Sequence, residues 1–112
     1  MARAARRPAE TRRSDSRGVP EAHEAKVFKA LGDPTRYQIV RTLLAEGEVA
    51  CSRLVEMFPL SPPALSHHFR VLEECGLLEV RKEGVYHFFR IDAERLEQAV
   101  GSLGIPRGTR RR

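Results

Sequence analysis

Ser66, His67 and Arg70 recur on one side of a short segment that opens with Ser61 and Pro63. A hydroxyl, an imidazole and a guanidinium at helical spacing form a compact set of hydrogen-bond donors and acceptors. Small groups at the leading end let such a surface approach a polar partner closely. This is the chemistry by which a helix reads base edges in the major groove of duplex DNA. Arg70 suits either a bidentate contact to guanine or a phosphate. The alternative use of the same residues is a plain solvated face.

Those side chains need a helix to carry them, and the sequence supplies its signals. Ser61 is a good N-cap and Pro62 suits the first helical turn. Leu65, His68, Phe69 and Leu72 recur at i, i+3, i+4 and i+7, which defines an inward face opposite the polar one. His68 therefore reads as a satisfied, partly buried histidine. Adjacent His67 and His68 point about 100° apart on a helix and cannot readily share one metal ion.

Other elements surround this helix. Ala22, Ala25, Phe28 and Leu31 predict a first amphipathic helix ending at Gly32. Asp33 and Pro34 restart the chain as N-cap and first helical residue. Tyr37, Val40, Leu43 and Leu44 then predict a second inward face, adjoined by Ile39, with Gly47 as the stop. A short third helix covers about Cys51–Met57, with Leu54 and Val55 inward, and Gly76 ends the fourth. Leu77–Arg81 and Val85–Ile91 are rich in branched and aromatic residues and flank Lys82-Glu83-Gly84, which predicts a two-stranded β-hairpin. Asp92 caps a last helix carrying Leu96, Ala99, Val100 and Leu103. The expected fold is mainly α with a two-stranded β-wing, in the order α1-α2-α3-α4-β-β-α5. Helices three and four form a helix-turn-helix and the hairpin forms a wing beside it. Arg81 and Lys82 are expected at the wing tip, against backbone phosphates or the minor groove, with Glu83 opposing them. His87 and Arg90 receive no assignment.

The 112 residues allow one domain. Residues 1–20 read as a disordered basic tail, 21–103 as the DNA-binding and dimerisation domain, and 104–112 as a second basic tail. Each tail carries a net +4, so subtracting both from the chain's +5 leaves −3 on the domain. Basic tails attract polyanions without choosing a sequence. No run of about 18 apolar residues exists, so no membrane span is expected. The Arg-rich start lacks the apolar stretch of a signal peptide, and two cysteines without an export signal suit a reducing cytoplasm. No nucleophile–base set or Gly-rich phosphate loop is visible, so no enzyme and no cofactor are expected.

Ala30-Leu31-Gly32-Asp33-Pro34-Thr35-Arg36 with Ile39-Val40 resembles the opening signature of the ArsR-type winged helix-turn-helix regulators. Leu65 to Leu72 resembles that family's recognition helix. Cys75-Gly76-Leu77-Leu78, Glu83-Gly84, Tyr86 and Phe88-Phe89-Arg90 resemble its wing. The similarity spans about Glu24 to Ala99. It implies a small homodimeric repressor that leaves DNA when an inducer, often a metal ion, binds. It also implies that the first and last helices form the dimer interface. Physics points the same way, because a core of about 80 residues is small to stand alone. A two-fold dimer would set two recognition helices roughly 34 Å apart on a near-palindromic operator.

The family's metal ligands are poorly matched. Its thiolate site uses a Cys-x-Cys pair at the start of the third helix, where this chain has Ala50-Cys51-Ser52. Its other site draws on Asp and His of the final helix, where Asp92 is followed by no histidine. No metal site is therefore expected. Cys51 and Cys75 leave open a redox-responsive repressor in which the two thiols join. A winged-helix protein-interaction module that does not read DNA, and RNA binding through the tails, are the remaining alternatives.

Overall fold

The structure is a computed structural model, and it describes residues 22–106. The expectations for residues 1–20, and for 107–112 of the second tail, fall outside the described residues. The elements run α1 (His23–Leu31), α2 (Pro34–Glu46), β1 (Val49–Ala50), α3 (Cys51–Met57), α4 (Pro62–Glu74), β2 (Leu78–Glu83), β3 (Tyr86–Ile91) and α5 (Ala93–Gly101). This is a winged helix-turn-helix, with α3 and α4 as the helical pair and β2–β3 as the wing.

Capping explains where the helices begin. The Asp33 carboxylate accepts from the Thr35 and Arg36 amides at 2.9 and 3.0 Å, and Pro34 occupies the first turn of α2. The Ser61 hydroxyl accepts from the Ala64 amide at 3.3 Å at the start of α4. Asp92 accepts from the Arg95 amide at 3.1 Å at the start of α5. Each cap satisfies an amide that the first helical turn would otherwise leave without a partner.

One core unites the elements. Val27, Ile39, Leu43, Leu54, Leu65, Leu72 and Leu77 are its largest fully buried side chains. Phe69 of α4 meets Phe89 of β3 edge-to-face, with centroids 4.8 Å apart, and fixes the helix against the sheet.

Several side chains face differently from their predicted directions. On α1, Val27 and Ala30 take the centre of the inner face and Phe28 and Leu31 pack half-buried against the core as predicted, whereas Ala22 and Ala25 are exposed. On α2, Ile39, Val40 and Leu43 set the buried arc. Tyr37 and Leu44 lie roughly 100° from the middle of that arc, at 100° per residue, and are 48% and 46% exposed. The last helix ends at Gly101, so Leu103 lies beyond it and is exposed.

The wing also gains detail. A two-residue strand, β1, joins the predicted hairpin to give a sheet of order β1-β3-β2. Val49 and Ala50 pair antiparallel with Phe89 and Phe88. The hairpin loop is only Gly84-Val85, because Glu83 already pairs with Tyr86. Gly84 has φ 61°, the left-handed value that two-residue hairpin turns need. Arg81 and Lys82 therefore lie inside β2, opposite Phe88 and His87, rather than at the tip.

Candidate nucleic-acid interface

The outward face of α4 gathers most of the predicted contact residues. Pro63, Ser66, His67 and Arg70 are all exposed on the side away from Leu65, Phe69 and Leu72, and Ser61 is exposed at the leading end. Among the described residues, neither His67 nor Arg70 has an ion pair or a hydrogen bond that would occupy its polar atoms. His67 makes only a tilted ring contact with His68, at 5.6 Å between centroids. The helix thus presents one free cation, one imidazole and one hydroxyl on a support fixed from behind.

His68 belongs to that support. Its Nδ1 lies 3.1 Å from Arg36 Nη1 and 3.8 Å from Asp33 Oδ2. A guanidinium can only donate, so Nδ1 accepts and the neutral ring carries its proton on Nε2. Arg36 Nε donates to the Ala30 carbonyl at 2.7 Å. That carbonyl lies in the last turn of α1, where no further helical amide can reach it. Arg36 thus ties the end of α1, the start of α2 and the middle of α4 together. The Arg36 amide, helped by the Arg36 charge and the Thr35 amide, holds the Asp33 carboxyl below its usual pKa against a partial desolvation penalty. Sequence reading placed His68 on the packing side but found neither partner.

The wing residues divide. Arg81 is occupied: Nε and Nη2 donate to both oxygens of Glu48 at 3.0 and 2.9 Å, and Nη1 donates to Glu83 at 3.1 Å. Its guanidinium also lies 4.5 Å from the Phe88 ring centroid. These carboxylates push the Arg81 pKa further up, and Arg81 in turn holds the Glu48 carboxyl down. Lys82 is exposed and, among the described residues, has no ion pair. Arg90, which sequence left unassigned, pairs with Glu79 at 2.7 Å. His87 stands exposed on β3.

Both cysteines are free thiols. Cys75 is buried, and its Sγ donates to the Leu72 carbonyl at 3.4 Å. Burial pushes the Cys51 thiol pKa up, so little thiolate forms there. The cysteines stand on separate elements, at the start of α3 and just after α4. Among the described residues, no three His, Cys, Asp or Glu side chains come together as metal ligands. Cys51 is thus a single thiol at the position where a thiolate pair would be needed. Among the described residues no helix is long and apolar enough to cross a membrane.

A profile described as bacterial regulatory protein, arsR family, matches residues 33–80. The chain is 33% identical over 76 residues to an uncharacterized HTH-type transcriptional regulator of Methanocaldococcus jannaschii, covering 68% of this chain and 85% of that one. It is 37% identical over 79 residues to the arsenical resistance operon repressor of Staphylococcus xylosus, covering 70% and 75%. Its fold is similar to that of an ArsR-like transcriptional regulator from Rhodococcus sp. RHA1. The TM-score is 0.66 and the identity 32%, with 73% of this chain and 76% of that one covered.

Proposed function

The chain belongs to the arsR family of bacterial regulatory proteins and is a DNA-binding transcriptional regulator; from that premise we propose a homodimeric, cytoplasmic repressor of a near-palindromic operator. The observation that carries this reading is the free outward face of α4. Ser61, Pro63, Ser66, His67 and Arg70 form the base-reading surface, with Arg70 as its principal anchor. Lys82 meets phosphate from the wing. Arg81 positions the wing and makes at most a minor direct contact, because two carboxylates already neutralise it.

The dimer reading rests on exposed apolar surface at the end of α5. Val100, Leu103 and Ile105 are exposed beside half-buried Leu96. A second copy related by a two-fold axis would cover these side chains together with α1. Residues 21–103 are then the DNA-binding and dimerisation domain, and the segments 1–20 and 104–112 add sequence-independent attraction to DNA. Repression is inferred from the staphylococcal relative, which is named as an operon repressor. Gene control, not catalysis, is the activity of the family.

The test is selection of bound fragments from genomic DNA, followed by binding of the recovered site to wild-type protein and to Arg70→Ala. A bidentate guanine contact is worth about 1–3 kcal/mol, so the variant should bind operator roughly 5- to 150-fold more weakly while random duplex changes far less. Unchanged preference for operator over random duplex would show that α4 is not the reader.

A further inference from the structure

Three cations that the DNA-facing surface leaves unused converge on another part of the molecule. Lys26 and Lys29 stand three apart on α1 and share one flank of it. Together with Arg36 from the first turn of α2, they line a cavity of about 350 Å³ beside the last turn of α4. Ala30, Val71 and buried Cys75 form its apolar wall, and Glu74 is the one carboxylate among the described residues that line it. Among the described residues no acidic side chain pairs with Lys26 or Lys29. Arg36 is held by its bonds to Ala30 and His68, which leaves Nη2 as the donor not used in that clasp.

Among the described residues that line it, three cations face one carboxylate, and Asp33 also lies in the field of Arg36, which leaves the groove net positive. An anion is favoured there, and a phosphoryl group offers three acceptor oxygens to a fixed guanidinium and two mobile ammonium groups. The volume lies within the range of small-molecule sites. Duplex DNA suits the cavity less well, since Glu73 and Glu74 are both exposed at this end of α4 and oppose an extended polyanion.

We propose that the groove between α1, α2 and the end of α4 binds a small phosphorylated metabolite through Lys26, Lys29 and Arg36. The apolar wall receives the rest of the molecule. Val71 and Glu74 belong to the recognition helix, so the occupant touches the element that reads DNA. Where occupancy changes operator affinity, operator changes the ligand's affinity by the same factor. That linkage rests on the DNA reading above; occupancy of the groove does not.

The experiment is a titration of the full chain with inorganic phosphate at constant ionic strength, followed through backbone amide resonances. Saturable shifts are expected at Lys26, Lys29 and Cys75. The double variant Lys26→Gln/Lys29→Gln should bind phosphate about tenfold more weakly or worse, with the Arg-rich tails intact. Lys26→Arg/Lys29→Arg should restore the affinity. Both lysines are exposed, so these variants fold, and unchanged amide spectra elsewhere check it. Shifts confined to the tails, or equal affinity in the Gln double variant, overturn the proposal. So does a double variant that loses affinity for all duplexes while phosphate leaves the groove amides unmoved, because the groove would then be a DNA-backbone contact. A wrong DNA reading would show instead as an inert Arg70→Ala, leaving the phosphate titration standing.

Discussion

Arg36 and Arg70 are both arginines near α4, yet their surroundings predict opposite phenotypes. Replacing Arg36 with Met keeps much of the aliphatic stem and removes two polar contacts. One is the 2.7 Å bond to the Ala30 carbonyl, which closes the end of α1. The other is the 3.1 Å contact to Nδ1 of His68, whose side chain is only 15% exposed. A hydrogen bond from a charged donor contributes about 1.5–3 kcal/mol, and water reaching the half-buried site offsets part of the loss. A net cost of about 2 kcal/mol follows, which lowers Tm by roughly 8–16 °C in a domain of this size. Arg70→Met removes an exposed side chain that has no partner among the described residues and should stay within about 0.5 kcal/mol of wild type. Thermal and urea unfolding at one fixed protomer concentration measure both, since dimerisation makes Tm depend on concentration. Operator binding below the transition gives the converse result: Arg36→Met keeps its preference for operator, and Arg70→Met loses it. A cycle with His68→Ala should return a coupling of about 0.5 kcal/mol or more between positions 36 and 68. A Tm for Arg36→Met within about 2 °C of wild type, or an equal fall for Arg70→Met, refutes the assignment of the two roles.

Two further outcomes are expected. Asn caps a helix about as well as Asp, so Asp33→Asn isolates the charge. Because the folded pKa of Asp33 lies below its ordinary 3.8, the carboxylate's stabilisation is present above 3.8 and is lost as pH falls through the folded value. The gap in urea midpoint between wild type and Asp33→Asn should therefore hold at neutral pH and shrink in acid; a gap independent of pH contradicts this. The double variant Glu48→Gln/Glu83→Gln removes both counter-charges of Arg81 and leaves a cation on the wing, steepening the slope of log K against log salt for DNA binding by about one. An unchanged slope would mean that the wing stays away from the phosphates.

Much of the fold is legible because its signals are local. Asp33-Pro34, Ser61-Pro62 and Asp92 place three helix starts within a few residues, since a cap acts on amides only two or three positions away. The hairpin follows from two branched and aromatic runs around Gly84. Strand β1 was not legible: two residues carry no period, and Val49-Ala50 become a strand only because Phe88 and Phe89 arrive beside them. Tyr37 and Leu44 show the converse error. Apolar residues spaced around a helix allow more than one inward face, and the packing of the neighbouring elements selects the arc through Ile39, Val40 and Leu43.

The polar face of α4 was determined by sequence alone, because helical geometry puts Pro63, Ser66, His67 and Arg70 opposite Leu65, Phe69 and Leu72 whatever surrounds them. Which cations remain free to meet DNA was decided only in three dimensions. Arg81 and Glu48 are 33 residues apart, and Arg36 and His68 are 32 apart. No spacing rule connects such pairs, since an ion pair depends on the distance across the fold and not along the chain. The folded structure thus takes Arg81 for the wing and Arg36 for the helix junction, and leaves Arg70 and Lys82 to solvent.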